Sequence, residues 1–125
     1  MKLVIENRSE RNIVESDDLT ESLALVDGKA STFALLESDD GHFIQTANDE
    51  TGFIVEKQLG SPDEHYEAVG LSSKTFERTS RPFWRQMLAS EKRDRFDLET
   101  VVACFDAFRG ERTEPPHITW RRLDL

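Results

Sequence analysis

The sequence predicts an α+β fold: an antiparallel meander sheet of about five to six strands with about three helices, the longest near the carboxyl terminus. Three observations carry this. Four β-prone segments follow one another between residues 31 and 69, joined by links of strong turn chemistry. Helical spacing of apolar residues appears before and after that block. At 125 residues, the chain has the length of one domain, 1–125, with room for a single core.

KLVIE (2–6) and NIVES (12–16) are short β-prone runs around the polar stretch NRSER, which suits a first hairpin. The period then changes in SDDLTESLALVDG. Leu19, Leu23 and Val26 recur at helical spacing, Asp18 and Glu21 resemble a capping box, and Gly28 can stop the chain, so a helix is expected over about 17–27. The meander follows: STFALLE (31–37), HFIQTA (42–47), FIVEKQL (53–59) and EHYEAV (64–69). In the second of these, Phe43, Gln45 and Ala47 share one face, while His42, Ile44 and Thr46 share the other. Apolar groups on both faces imply that helices cover part of one.

In TSRPFWRQMLASEKR, Thr79 or Ser80 can cap, Pro82 suits a first turn, and Phe83, Trp84, Met87 and Leu88 form an apolar stripe. DLETVVACFDAFRG is the clearest helix, capped by Asp97 and stopped by Gly110, with Leu98, Val101, Val102, Phe105 and Phe108 on one stripe. After Pro115 and Pro116, HITWRRLDL reads as a final strand.

Charge is unevenly spread. The net charge is −9, yet residues 1–73 carry −11, residues 74–95 carry +4 and residues 96–125 carry −2. An acidic field repels nucleic acid and anionic lipid and attracts basic proteins, so a protein partner is expected, with no nucleic acid and no membrane. The apolar runs fall far short of the ~20 residues that span a bilayer, and charges return too early in MKLVIENRSERN for a secretory signal. With one cysteine, Cys104, a cytoplasmic setting is expected.

Residues with chemistry offer little. His42, His65 and His117 fall in three separate strand-like segments without metal-ligand spacing, and the acidic turns do not span an EF-hand loop. Cys104 lies beside an apolar stripe with no adjacent cation and reads as a core residue. GxSxG, GxGxxG and GxxxxGK[ST] are all missing from the sequence. No catalytic residue, cofactor or metal is therefore expected. The segment from Lys74 to Arg95 mixes Phe76, Phe83 and Trp84 with arginines, but an acidic surround argues against nucleic-acid binding. An exposed Trp84 between Arg81 and Arg85 would instead suit a protein interface.

The carboxylates crowd the turns, and successive turns of a meander alternate between the two ends of a sheet. Glu37, Asp39 and Asp40 in the first turn should therefore share an end with Asp63 and Glu64 in the third, while Asp49 and Glu50 face the other way. That end, with Glu56 on the sheet, would imitate a run of phosphates and dock on a basic cleft.

FIQTANDETGFIVEKQLGSPDEHYEAVG (43–70), FDLETVVACFDAFRG (96–110) and WRRLDL (120–125) together resemble the immunity proteins of polymorphic toxin and contact-dependent inhibition systems. The resemblance covers about half of the chain and rests on structural motifs, carried here by Phe43, Ile44, Gln45, Gly52, Phe53, Val55, Glu56, His65, Tyr66 and Trp120. The segment from Lys74 to Arg95 departs from the group, whose meander passes to the helix through a shorter link. The resemblance implies a cytoplasmic, non-enzymatic binder that neutralises a cognate toxin domain, often a nuclease. A self-associating structural module, monomer or homodimer in its resting state, is the alternative. A small enzyme or ligand carrier comes third.

Overall fold

The computed structural model describes residues 1–60, 64–70 and 94–123. Its elements are β1 (Lys2–Ile5), β2 (Arg11–Asn12), α1 (Ser16–Leu23), β3 (Phe33–Glu37), β4 (Phe43–Asn48), β5 (Phe53–Gln58), β6 (His65–Gly70), α2 (Leu98–Phe108) and β7 (Ile118–Arg122). The fold is α+β. The sheet has seven strands rather than five to six, in the order β2-β1-β3-β4-β5-β6-β7, and every neighbouring pair is antiparallel. Two helices lie among the described residues, the longer nearer the carboxyl terminus. The helix expected in TSRPFWRQMLASEKR lies outside the described residues.

From β3 to β6 the chain is a simple meander, and helices enter where it leaves that path. After the β1–β2 hairpin, α1 carries the chain across β1 to β3, and α2 lies between β6 and β7. Both helices pack on the same face of the sheet. Leu3, Ile5, Ala34, Leu36, Ile44 and Val55 project there and meet Leu19, Leu23, Val101, Cys104 and Phe105 in one continuous core. Phe105 is fully buried and is the largest such side chain. Cys104 is also fully buried, as its place beside the apolar stripe predicts, and burial pushes its thiol up to about 12.

The alternation of β4 places Ile44 and Thr46 in this core and leaves Phe43, Gln45 and Ala47 half-buried on the opposite face. The Thr46 hydroxyl, buried by that alternation, donates to the Ile54 carbonyl at 2.6 Å. β6 pairs with only the second half of β5, from Glu56 to Gln58. The backbone of Phe53 instead exchanges both hydrogen bonds with Phe96, at 3.0 and 2.8 Å, which sets the start of α2 beside the start of β5.

Two sequence-based boundaries move. The first helix ends at Leu23, not near residue 27, and its N-cap is Glu15 rather than Asp18. Asp18 instead sits in the first turn, where its carboxylate accepts from the Val14 and Glu15 amides, both at 3.0 Å, and is held below the usual carboxylate range by them. Gly28 does not stop the helix but turns the loop after it. At φ +80° its backbone passes so close to β4–β5 that a Cβ would lie 2.7 Å from the Glu50 nitrogen.

A polar network joins the helices end to end. The Arg109 guanidinium donates to the Asp106 carboxylate and to the Val14 carbonyl, each at 2.6 Å, and the Ser16 hydroxyl donates to the same carboxylate. Asp106 and Arg109 are both almost wholly buried, with side chains 4% and 7% exposed. Truncating one partner of such a pair strands the other charge away from water. Asp106→Ala should therefore cost about 3–5 kcal/mol in urea unfolding, whereas Asp17→Ala on the exposed side of α1 should stay within about 0.5 kcal/mol.

Candidate partner-binding surface

The antiparallel order puts the β3–β4 and β5–β6 turns at one end of the sheet and the β4–β5 turn at the other. The first turn is closed by Ser38 and His42, whose backbones bond at 2.9 Å, with Gly41 at φ +88° completing the reversal. Inside it the Ser38 hydroxyl donates to Asp40, which that bond holds below the usual carboxylate range. The third turn is closed by the Leu59 amide donating to the Glu64 carbonyl at 3.0 Å. Glu37, Asp39, Asp40 and Glu64 thus come together at this end, and all four are exposed. Asp63 and Trp84, the other two residues marked in the sequence at turns and interface, lie outside the described residues.

The two ends use their carboxylates differently. At the far end, Asp27 accepts from the Lys29 and Ser31 amides, Asp97 caps α2 through the Thr100 amide, and Asp94 accepts from the Gly70 amide. Asp49 accepts from the Arg95 guanidinium at 2.9 Å and from the Thr51 amide and hydroxyl, and Arg95 and Thr51 together hold it far below the usual carboxylate range. Those acids build the fold. At the near end, the side chains of Glu37, Asp39 and Glu64 hold no hydrogen bond or ion pair among the described residues. Cations temper this end without cancelling it: Lys2 stands opposite Glu37 in the ladder but reaches Glu10, at 3.8 Å, and Lys57 reaches Glu114, at 3.6 Å.

Glu56 does not join these exposed acids. It lies on the sheet face turned away from both helices, half-buried, in a polar row that the register builds across four strands: Gln45 on β4, Glu56 on β5, Glu67 on β6 and Arg121 on β7. Arg121 pairs with Glu67, which is 4% exposed, and His65 Nε2 lies 2.5 Å from the Glu56 carboxylate. His65 Nδ1 faces the Gln58 side-chain oxygen at 3.4 Å, and Phe43 meets the imidazole edge-on at 6.2 Å between centroids. Sequence reasoning treated His65 as isolated and left Glu67 and Arg121 unmarked. Their signal was present: positions 56, 58, 65 and 67 alternate around one hairpin, so all four must share a face once the turn is set.

Beside this row the sheet is apolar. Phe33, Ala47 and Ile54 are cross-strand neighbours, and the small Ala47 leaves a cavity of about 240 Å³ that reaches Gln45 and Glu56. Phe33 stays 43% exposed. No group of three or more His, Cys, Asp or Glu side chains among the described residues is placed to hold a metal ion. No helix among them is long and apolar enough to cross a membrane.

The Asp49 carboxylate has a lower pKa folded than unfolded, so its contribution to stability is present above the unfolded value of about 4 and is lost as pH falls through the folded one. Asp49→Asn should lower the urea midpoint at neutral pH, and the gap from the unaltered protein should shrink steadily below about pH 4. A gap that widened on acidification would contradict this assignment of the charge. Compared with known proteins, the chain matches no family model, no curated protein and no solved structure.

Proposed function

We propose that this chain is a non-enzymatic binding protein of the cytoplasm, an immunity protein whose acidic sheet end docks on a basic toxin domain. One observation carries the reading: Glu37, Asp39 and Glu64 are exposed together at one end with no side-chain hydrogen bond or ion pair among the described residues, whereas at the opposite end Asp27, Asp49, Asp94 and Asp97 are engaged in caps and turns and Glu50 is left exposed and unengaged among the described residues. Carboxylates with no internal role cost the folded state by mutual repulsion. A partner of opposite charge offsets that cost and gains steering. A nuclease cleft is such a partner, because it must be basic to hold phosphates. The resemblance of residues 43–70, 96–110 and 120–125 to toxin immunity proteins favours the same partner class.

The tagged protein would be used to capture partners from its host's lysate at low and high salt, beside the triple variant Glu37→Lys, Asp39→Lys, Glu64→Lys. A basic chain retained at low salt by the unaltered protein and lost from the variant is the expected result. With that partner purified, the variant should associate about tenfold or more slowly at low ionic strength and lose most of this difference at high salt. Equal association rates for the two proteins would overturn the reading.

Self-association is favoured by a different observation, the exposed Phe33 beside Ala47 and Ile54 on the sheet face turned away from both described helices. Light scattering distinguishes the two: a stable dimer disrupted by Phe33→Ser supports the module, and a monomer supports the partner reading.

A further inference from the structure

A second site lies on the helix-bearing side of the sheet, beneath the same end. Lys57 projects from β5 toward the carboxyl-terminal end of α2, and its side chain is only 14% exposed. Its ammonium sits 4.0 Å above the Trp120 ring and 3.6 Å from a Glu114 oxygen. The other Glu114 oxygen accepts from the Trp120 indole at 2.6 Å, so carboxylate and ring hold each other in place. Beyond the Glu114 carboxylate and the Trp120 ring, the Lys57 ammonium has no side-chain hydrogen-bond acceptor within reach among the described residues, so its remaining donors are left to solvent or a ligand. An ammonium has three donors, and a single carboxylate does not use them all.

Those donors border a cavity of about 280 Å³. Its opposite rim is the β3–β4 turn, with Asp40 and His42, whose imidazole lies 3.7 Å from the Asp40 carboxylate, too far for a hydrogen bond. Phe108 and Leu59 supply an apolar wall between the two polar sides. The lining thus carries both signs of charge. A simple anion would satisfy Lys57 but face Asp40 and Glu114, and a simple cation would meet Lys57. A molecule with both charges and a short apolar body answers every wall.

The geometry points to this cavity as a binding site for a small zwitterion with an apolar body, its carboxylate on Lys57 and its ammonium toward Asp40. The volume suits a single small molecule of amino-acid size, at the lower edge of ordinary ligand pockets. This site is independent of the partner reading: it uses the ammonium and the inner side of the turn, not the exposed Glu37, Asp39 and Glu64.

The test follows the indole N–H resonance of Trp120, assigned with Trp120→Phe, while the intact protein is titrated with leucine, 6-aminohexanoate, hexanoate and hexylamine. The last three share one stem and differ only in their charges, and the two zwitterions differ in charge separation. Saturable movement of the resonance by leucine or 6-aminohexanoate below about 10 mM, with hexanoate and hexylamine at least about tenfold weaker, is the expected outcome. Lys57→Gln should abolish saturation. Should that variant fail to fold, Asp40→Asn, on an exposed turn, must weaken the better zwitterion about fivefold or more while leaving hexanoate unchanged. No saturation with either zwitterion, equal binding by a singly charged analogue, or unaltered affinity in a folded Lys57→Gln or Asp40→Asn protein would each overturn the proposal.

Discussion

The pairing of β4 with β5 runs unbroken from Phe43 opposite Gln58 to Asn48 opposite Phe53, the longest ladder in the sheet. Because side chains alternate with a period of two, a slip of one residue here would drive Gln45, Glu56 and Gln58 into the core and expel Ile44, Thr46 and Val55. The slip is opposed by burial on one side only. Ile44 and Val55 lose nearly all contact with water against the two helices, at about 25 cal/mol per Å² of apolar surface. Everything outward of that hairpin inherits its phase, including the polar row from Gln45 to Arg121 and the place of Lys57 beside α2.

The same phase explains how a protein of net charge −9 tolerates its acids. Few of them are merely decorative. Asp18 closes the start of α1, Asp27 the loop after it, Asp97 the start of α2, and Asp106 the junction of the helices. Each serves amides or a guanidinium that would otherwise lack an acceptor. Among the described residues no buried side-chain nitrogen or oxygen is left without a partner. Like Glu50 and Glu111, the exposed carboxylates of Glu37, Asp39 and Glu64 hold no hydrogen bond or ion pair among the described residues, and these three differ in gathering at one end of the sheet.

Much of this architecture was legible from residue order. Turn chemistry at Ser38–Gly41 and Asp49–Gly52 separates the strands correctly, and Asp97 and Gly110 bracket α2 because caps act locally. The sharing of one sheet end by Glu37, Asp39, Asp40 and Glu64 followed from meander topology alone. What failed was long-range. Asp18 looks like a cap by spacing, but Arg11 from β2 reaches its carboxylate at 2.7 Å, and the chain enters the helix earlier. Gly28 looks like a helix stop, but its conformation answers to the backbone of Glu50. His65 looked isolated because its partner Glu56 lies across a strand pair, and the Lys57, Glu114 and Trp120 cluster joins residues brought near only by the complete sheet.

Cys104 closes the account of the core in another way. It is the chain's single thiol, fully buried beside Phe105, with its ionisation pushed up to about 12. The thiolate is the nucleophile that reacts with alkylating reagents, so in the native state this sulfur is both buried and in the wrong protonation state. Its alkylation must wait for the sheet and helices to part. The molecule therefore carries a chemical clock of its own opening, read as the rate at which a reagent alkylates its own cysteine, with no residue introduced for the purpose.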